Sequence, residues 1–355
     1  MKNRLRSFFT FLTPAFALAL MGQGCLGGGQ PAGGPDGGLF RTADMENWTQ
    51  LTVLNLGKQL GSIANVGVSA LALDPQDAGA LYAGTVQNGL LYSLDGGESW
   101  NNPAGLSKGR VVAIAAHPKD KCVVYAARLN QIMKTENCHR DWEEAFFDAR
   151  TDKRFTAIAI DWFNPNVVYA TTNDGDIVRS SNNGETWNVV HRLDGVELRN
   201  IVVDPHDSRV VYVSAFGQGV LKTTDGGQNW TQIRDALSEI DSKTRRSKIV
   251  AIDPSTANRL YQVSDYGILR SDDGGGTWTA LTLPSPPDSV DILAFAVHPK
   301  NPKQLVYATE QSVVMSTDAG QTWTSKRSPT SRPPGALLYD LSEEPRLYFA
   351  PGETK

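Results

Sequence analysis

The sequence predicts an all-β fold, a seven-bladed β-propeller of four-stranded antiparallel blades closed by pairing of its N- and C-terminal strands. Three observations carry this. A box of the form Ser-x-Asp-x-Gly-x-x-Trp recurs along the 355 residues. A front half precedes each box, made of an apolar strand, an Asp-Pro-like turn and a second strand ending in Tyr. Finally, the chain opens with a box that lacks a front half and closes with a front half that lacks a box.

The clearest boxes are Ser93 to Trp100, Thr223 to Trp230, Ser271 to Trp278 and Ser316 to Trp323, with Asp95, Asp225, Asp273 and Asp318 at the acidic position. Ser180 to Trp187 carries Asn182 instead, and Thr135 to Trp142 and Thr42 to Trp48 are degenerate. Seven of the 8 tryptophans therefore share one repeat position, at spacings of 42 to 52 residues, which suits four strands and their connections. A carboxylate at the third position can accept hydrogen bonds from turn amides, and glycine supplies the positive φ that a side chain opposes. The box thus reads as a hairpin clasp between third and fourth strands, with Trp100, Trp230, Trp278 and Trp323 packed over their turns. His139 stands where the second box should have glycine, so that turn is expected to be distorted.

The front halves run from Ala70–Pro75 to Tyr82 and from Ile201–Pro205 to Tyr212, and the others reach Tyr125, Tyr169, Tyr261 and Tyr307. The last runs from Ala336 to Tyr348. Residues 335–350 and 38–52 together complete a seventh unit, which removes the open edge a ring would otherwise expose.

Ahead of the repeats, residues 1–24 read as a signal peptide: Lys2, Arg4 and Arg6, then an apolar stretch from Phe8 to Met21. Gly24-Cys25 resembles a bacterial lipoprotein box, although Gly22 stands where Leu is usual. Cys25 is the lipidation candidate, with ordinary cleavage at Gly22 and Gly24 as the alternative. Residues 25–37 are rich in Gly and Pro and suit a tether, leaving 38–355 for the propeller. The expectation is an exported, membrane-anchored chain facing the periplasm or the cell exterior. Its formal charge of −4 gives no reason to expect nucleic acid.

The repeats resemble Asp-box (BNR) repeats, from about Gly38 to Gly352. Similar boxes occur in sialidases, xyloglucanases, sortilin-type receptors and photosystem II assembly and stability factors. Size, export signal and repeat number look most like the last group. For a sialidase, the resemblance would imply an arginine triad and a Phe-Arg-Ile-Pro-type segment, but Phe40-Arg41-Thr42 only enters the first box. Xyloglucanases use a cleft between two such propellers, and this chain has room for one.

No paired carboxylates stand out from the turn aspartates, so no catalytic residue is assigned. The 5 histidines form no metal pattern, and neither a metal nor a cofactor is expected. Cys122 and Cys138 fall at neighbouring ends of a hairpin, so export permits a disulfide there, adding about 3 kcal/mol if unstrained.

Recognition is expected in the interblade connections, taken as 51–67, 101–111, 143–156, 188–199, 232–248, 279–291 and 324–335. They carry 16 Lys/Arg against 11 Asp/Glu. Lys153, Arg154, Lys243, Arg245, Arg246, Lys248, Lys326 and Arg327 are the candidate binding residues, for a protein partner with an acidic surface or an anionic glycan. Solvated loop charge with no partner is the plain alternative. The functional expectation is a non-catalytic binding or assembly scaffold, not an enzyme, with a glycan-acting enzyme or glycan-binding module as the alternative.

Overall fold

A computed structural model describes residues 35–353. The expected signal peptide, Cys25 and the tether up to residue 34 lie outside the described residues. The repeats fold as a series of antiparallel sheets. Sheet 1 is Pro334–Tyr339, Leu347–Pro351, Leu39–Thr42 and Thr49–Leu51. Sheet 2 is Val68–Asp74, Asp77–Thr85 and Leu90–Ser93. Sheet 3 runs from Ala113 to Phe147, sheet 4 from Phe155 to Arg192 and sheet 5 from Leu198 to Ile233. Sheet 6 runs from Ser247 to Ala280 and sheet 7 from Ala294 to Arg327.

Burial explains why each strand has its composition. Second strands such as Val168–Thr172, Val211–Ala215 and Leu260–Ser264 are buried at every residue, and accordingly read as continuous apolar or small runs. Fourth strands such as Asn188–Arg192 and Thr324–Arg327 are mostly exposed and polar. The first strands adjoin one another from sheet 2 through sheet 7 to sheet 1 and back to sheet 2. Sheet 1 joins the two ends of the chain, pairing Phe40 with Phe349, Arg41 with Tyr348 and Thr42 with Leu347.

One sheet departs from four strands. The segment expected to finish sheet 2, Ser99–Trp100, shares no strand pairing with it, and the backbone link is an isolated Tyr92–Asn101 bridge. It pairs instead in parallel with Val53–Asn55, which forms a hairpin with Leu60–Ser62. The cause is apolar: Leu54 and Ile63 from the 51–67 connection pack with Leu51, Leu81 and Trp100 in one cluster. That burial draws the strand away from its own sheet.

The box turns have one geometry. Asp95 Oδ1 accepts from Ser99 N at 2.9 Å, Asp225 Oδ1 from Asn229 N at 2.9 Å, Asp273 Oδ1 from Thr277 N at 2.9 Å and Asp318 Oδ1 from Thr322 N at 2.8 Å. Gly97 N donates to Ser93 Oγ at 2.8 Å, with φ at 90°. Trp230 and Trp278 each donate Nε1 to a carbonyl of their own turn at 3.2 Å. The turn at His139 keeps this geometry rather than distorting. Cys138 and His139 adopt φ of 57° and 70°, and His139 N still donates to Thr135 Oγ1 at 3.2 Å. The left-handed strain is offset by burial of the imidazole among Tyr82, Tyr92 and Trp142, with the Tyr92 ring centroid 4.5 Å away. Cys122 and Cys138 are joined as a disulfide.

Four of the seven repeated tyrosines tie their sheet to the next sheet's box. Tyr348 donates to Gly96 O at 3.0 Å, Tyr125 to Asn183 O at 2.7 Å, Tyr169 to Gly226 O at 2.8 Å and Tyr212 to Gly274 O at 3.2 Å. Tyr82, Tyr261 and Tyr307 make no such bond among the described residues, and the Tyr261 hydroxyl is buried without a partner.

Candidate functional site

The first strands bring a set of charged residues to one end of the ring. In sheets 1, 2, 4, 5 and 6 the strand register slips near its start, between residues such as Phe155 and Ala157 or Leu198 and Asn200. The bulged residues are Gly335, Ser69, Thr156, Arg199 and Lys248. Such bulges re-aim a side chain where a strand meets a rim. Just before the first strands of sheets 3 to 6 stand Arg110, Arg154, Glu197 and Arg246.

A cleft of about 510 Å³ opens here, across sheets 3, 4 and 5. That size falls within the range of small-molecule sites. Its apolar part is Val112, Leu129 and Phe155, and its polar part includes Arg110, Arg154, Thr156, Asn173, Glu197 and Arg199. Leu129 is half exposed and holds a φ of 49°, a left-handed conformation that a bulky residue keeps only under constraint, as at functional sites.

Each polar group has a defined setting. Asn173 clamps the Arg154 backbone from both sides, accepting from Arg154 N at 2.7 Å through Oδ1 while its own N–H donates to Arg154 O at 3.0 Å. The Arg154 guanidinium has no hydrogen bond or ion pair among the described residues. Arg199 grips Glu197 through Nε at 3.1 Å and Nη2 at 2.9 Å, and lies 3.9 Å from the Phe216 ring centroid. Arg246 packs on the same ring at 4.8 Å. Arg110 reaches Glu353 at 3.4 Å. The cleft therefore offers a held carboxylate, Glu197, a second carboxylate at its margin, Glu353, and one unpartnered guanidinium.

The residues expected to form a basic binding face mostly do not present free charge. Lys153 is 4 % exposed and is corrected from binding residue to buried ion-pair partner. It meets Asp176, which Arg192 and Arg150 also contact, and lies 2.7 Å from Asp174. Burial would raise the Asp176 carboxyl, but Arg192 and Lys153 hold it below the ordinary range. Lys243 pairs with Asp288, Arg246 with Asp265 at 2.9 Å, and Lys248 with Asp265 and Asp291 at 2.7 and 2.5 Å. Lys326 pairs with Glu46 at the far edge of sheet 7, and Arg245 Nε donates to Ser242 O at 3.3 Å. Arg327 is exposed on the outer strand of sheet 7. Only Arg154 of the eight lines the cleft.

Arg110, Glu197 and Arg199 were missed from sequence. Arg110 and Glu197 stand shortly before first strands and Arg199 on a bulge within one, positions that neither the box nor the front-half motif marks. A second concavity, along the outer strands of sheets 3 and 4, is acidic, with Glu136, Asp141, Glu143, Glu144 and Glu185. Several of its acids are satisfied locally, as Glu144 is by Gln131 at 2.7 Å. No group able to hold a metal ion occurs among the described residues.

No protein-family model matches the chain. A xyloglucanase of Paenibacillus sp is 26% identical over 226 residues, covering 52% of this chain and 22% of that protein. A xyloglucanase of Hypocrea jecorina is 30% identical over 160 residues, covering 38% and 19%. The chain thus spans about a fifth of the curated relatives it matches. Among solved structures, the GH74 xyloglucanase from Xanthomonas campestris superposes with a TM-score of 0.65 at 17% identity, covering 81% of this chain and 51% of that one. YCF48 bound to D1 peptide superposes with a TM-score of 0.59 at 17% identity, covering 81% and 94%. These relatives overturn the expectation of a non-catalytic scaffold that is not an enzyme: the sequence similarity runs to xyloglucanases, and points to a glycoside hydrolase. The structural likeness shows the fold, and the fold of this chain is a β-propeller.

Proposed function

We propose that this propeller is a glycan-acting protein, a glycoside hydrolase whose polysaccharide substrate enters the cleft at the ends of the first strands of sheets 3, 4 and 5. The observation that carries the location is the cleft itself, where Glu197 is the carboxylate among the lining residues. The reaction class rests on the sequence likeness to xyloglucanases.

Hydrolysis needs one carboxyl to protonate the leaving oxygen and another to activate water or attack the anomeric carbon. Glu197 and Glu353 are the pair we assign. The glycosidic C–O bond breaks, the leaving oxygen takes a proton, and the elements of water are added across the cut. Val112 and Leu129 offer an apolar surface to a sugar ring, and Thr156 and Asn173 offer groups to its hydroxyls.

The test is release of reducing ends from xyloglucan by the full chain, beside Glu197→Gln and Glu353→Gln. The expected result is turnover that either substitution lowers at least 100-fold. Retarded migration in a xyloglucan gel with no turnover would leave a glycan-binding module in place of the enzyme. Absence of both turnover and binding would remove the glycan reading. We also place the protein outside the cell membrane, tethered through Cys25, on the strength of its N-terminal sequence. A Cys25→Ser chain that still partitions with membranes would sink the tether.

A further inference from the structure

We infer that the cleft selects a glycan bearing carboxylates, a polymer containing uronic acid units, and that Arg154 is the residue that reads the charge. This rests on the glycan reading above and names the substrate class of the same site.

The argument begins with charge. Three arginines and one carboxylate line the cleft, so the lining is cationic. Arg199 is committed to Glu197 through two hydrogen bonds and to the Phe216 ring. Arg110 is shared with Glu353 at 3.4 Å. Of the three lining arginines, Arg154 alone has a guanidinium without a hydrogen bond or ion pair among the described residues, while Asn173 fixes its backbone on both sides. A fixed backbone with an unused planar fork is prepared for a bidentate carboxylate. Two other cations near this end of the ring are committed elsewhere: Lys153 is buried on Asp176, and Lys248 is bonded to Asp265 and Asp291.

Glu197 shapes the ligand further. A densely anionic polymer would bring like charge against it, at a cost that grows in a partly desolvated cleft. A chain in which each carboxylate is separated by neutral hydroxyls and an apolar ring face meets Arg154 without crowding Glu197. The half-exposed Leu129 and the partly exposed Val112 supply the facing apolar surface. A uronate sugar has this arrangement of groups, and an acidic peptide lacks the ring.

The experiment is calorimetric titration of the full chain with trigalacturonate, a neutral xyloglucan heptasaccharide and an oligo-aspartate peptide. It is repeated on Arg154→Gln, Arg199→Gln and, as a control outside the cleft, Lys326→Gln. We expect trigalacturonate to bind at least 10-fold tighter than the neutral oligosaccharide at low salt. Arg154→Gln should erase that preference, and Lys326→Gln should leave it intact. Binding of the neutral oligosaccharide with no preference for trigalacturonate overturns this inference and leaves the glycan reading standing. Binding of neither sugar overturns both. Tighter binding of oligo-aspartate than of trigalacturonate, lost in Arg154→Gln, also overturns it, by making the ligand a protein.

Discussion

If the tyrosine hydroxyls link neighbouring sheets, removing them singly should have effects that differ in a defined order. Tyr169 donates to Gly226 O at 2.8 Å, and no other donor reaches that carbonyl among the described residues. Tyr169→Phe therefore leaves a part-buried acceptor unsatisfied and should cost about 1–2 kcal/mol. Tyr212 donates to Gly274 O at 3.2 Å, but Lys222 Nζ reaches the same oxygen at 2.8 Å. Tyr212→Phe keeps that carbonyl bonded, so the loss should be about 0.5 kcal/mol. Tyr261 has a buried hydroxyl with no partner. Removing it relieves a desolvated polar group, and Tyr261→Phe should be neutral or stabilising by up to about 1 kcal/mol. Urea unfolding followed by tryptophan fluorescence reads all three as shifts of midpoint. The ring remains in every variant, so lost packing does not confuse the comparison. A Tyr261→Phe chain destabilised as much as Tyr169→Phe would refute the reasoning, because the hydroxyl partners would then be irrelevant.

Two further outcomes follow from buried charge. Burial lowers His139 from 6.5 to about 4, so the folded chain keeps it neutral. Between those values the unfolded chain binds a proton that the folded one does not, and stability falls as pH drops through this window, by about 3 kcal/mol at its lower end. Unfolding midpoints from pH 7 to 4 should lose that slope in His139→Gly, whatever its baseline stability. Lys153→Met removes one of three cations from the buried Asp176 and should cost about 2 kcal/mol, while the exposed Arg154→Gln should change the midpoint little. An unchanged Lys153→Met midpoint would return that lysine to the solvent-exposed set.

Periodic features were legible in the sequence, and aperiodic ones were not. The β-propeller could be read because one Trp and one Tyr recur in each unit, and because the first box and the last front half complete each other. Phe40 paired with Phe349 is the physical form of that match. The diversion of Ser99–Trp100 was hidden, since it depends on Leu54 and Ile63 from a connection that resembles no repeat element. Charge counts over the connections missed pairing across space: Lys248 meets Asp265 and Asp291, and Lys153 meets Asp176. The cleft was hidden for the opposite reason. Arg110, Arg154 and Glu197 come from three connections of different length and composition, and only the closed fold brings them to one opening. Turn aspartates dominate the acidic pattern, so no pair of carboxylates stands out from the sequence, and Glu197 lies in a connection that no repeat motif marks.

Hydrogen exchange of the Glu197→Gln chain, with and without xyloglucan oligosaccharides, addresses the central claim most directly, because it locates a bound glycan without requiring turnover. Slowed exchange at 110–112, 154–156 and 197–199, with the box turns around Asp225 and Asp273 unchanged, is the result the glycan cleft predicts. Protection confined to the box turns, or to the acidic groove around Glu143 and Glu144, would contradict it.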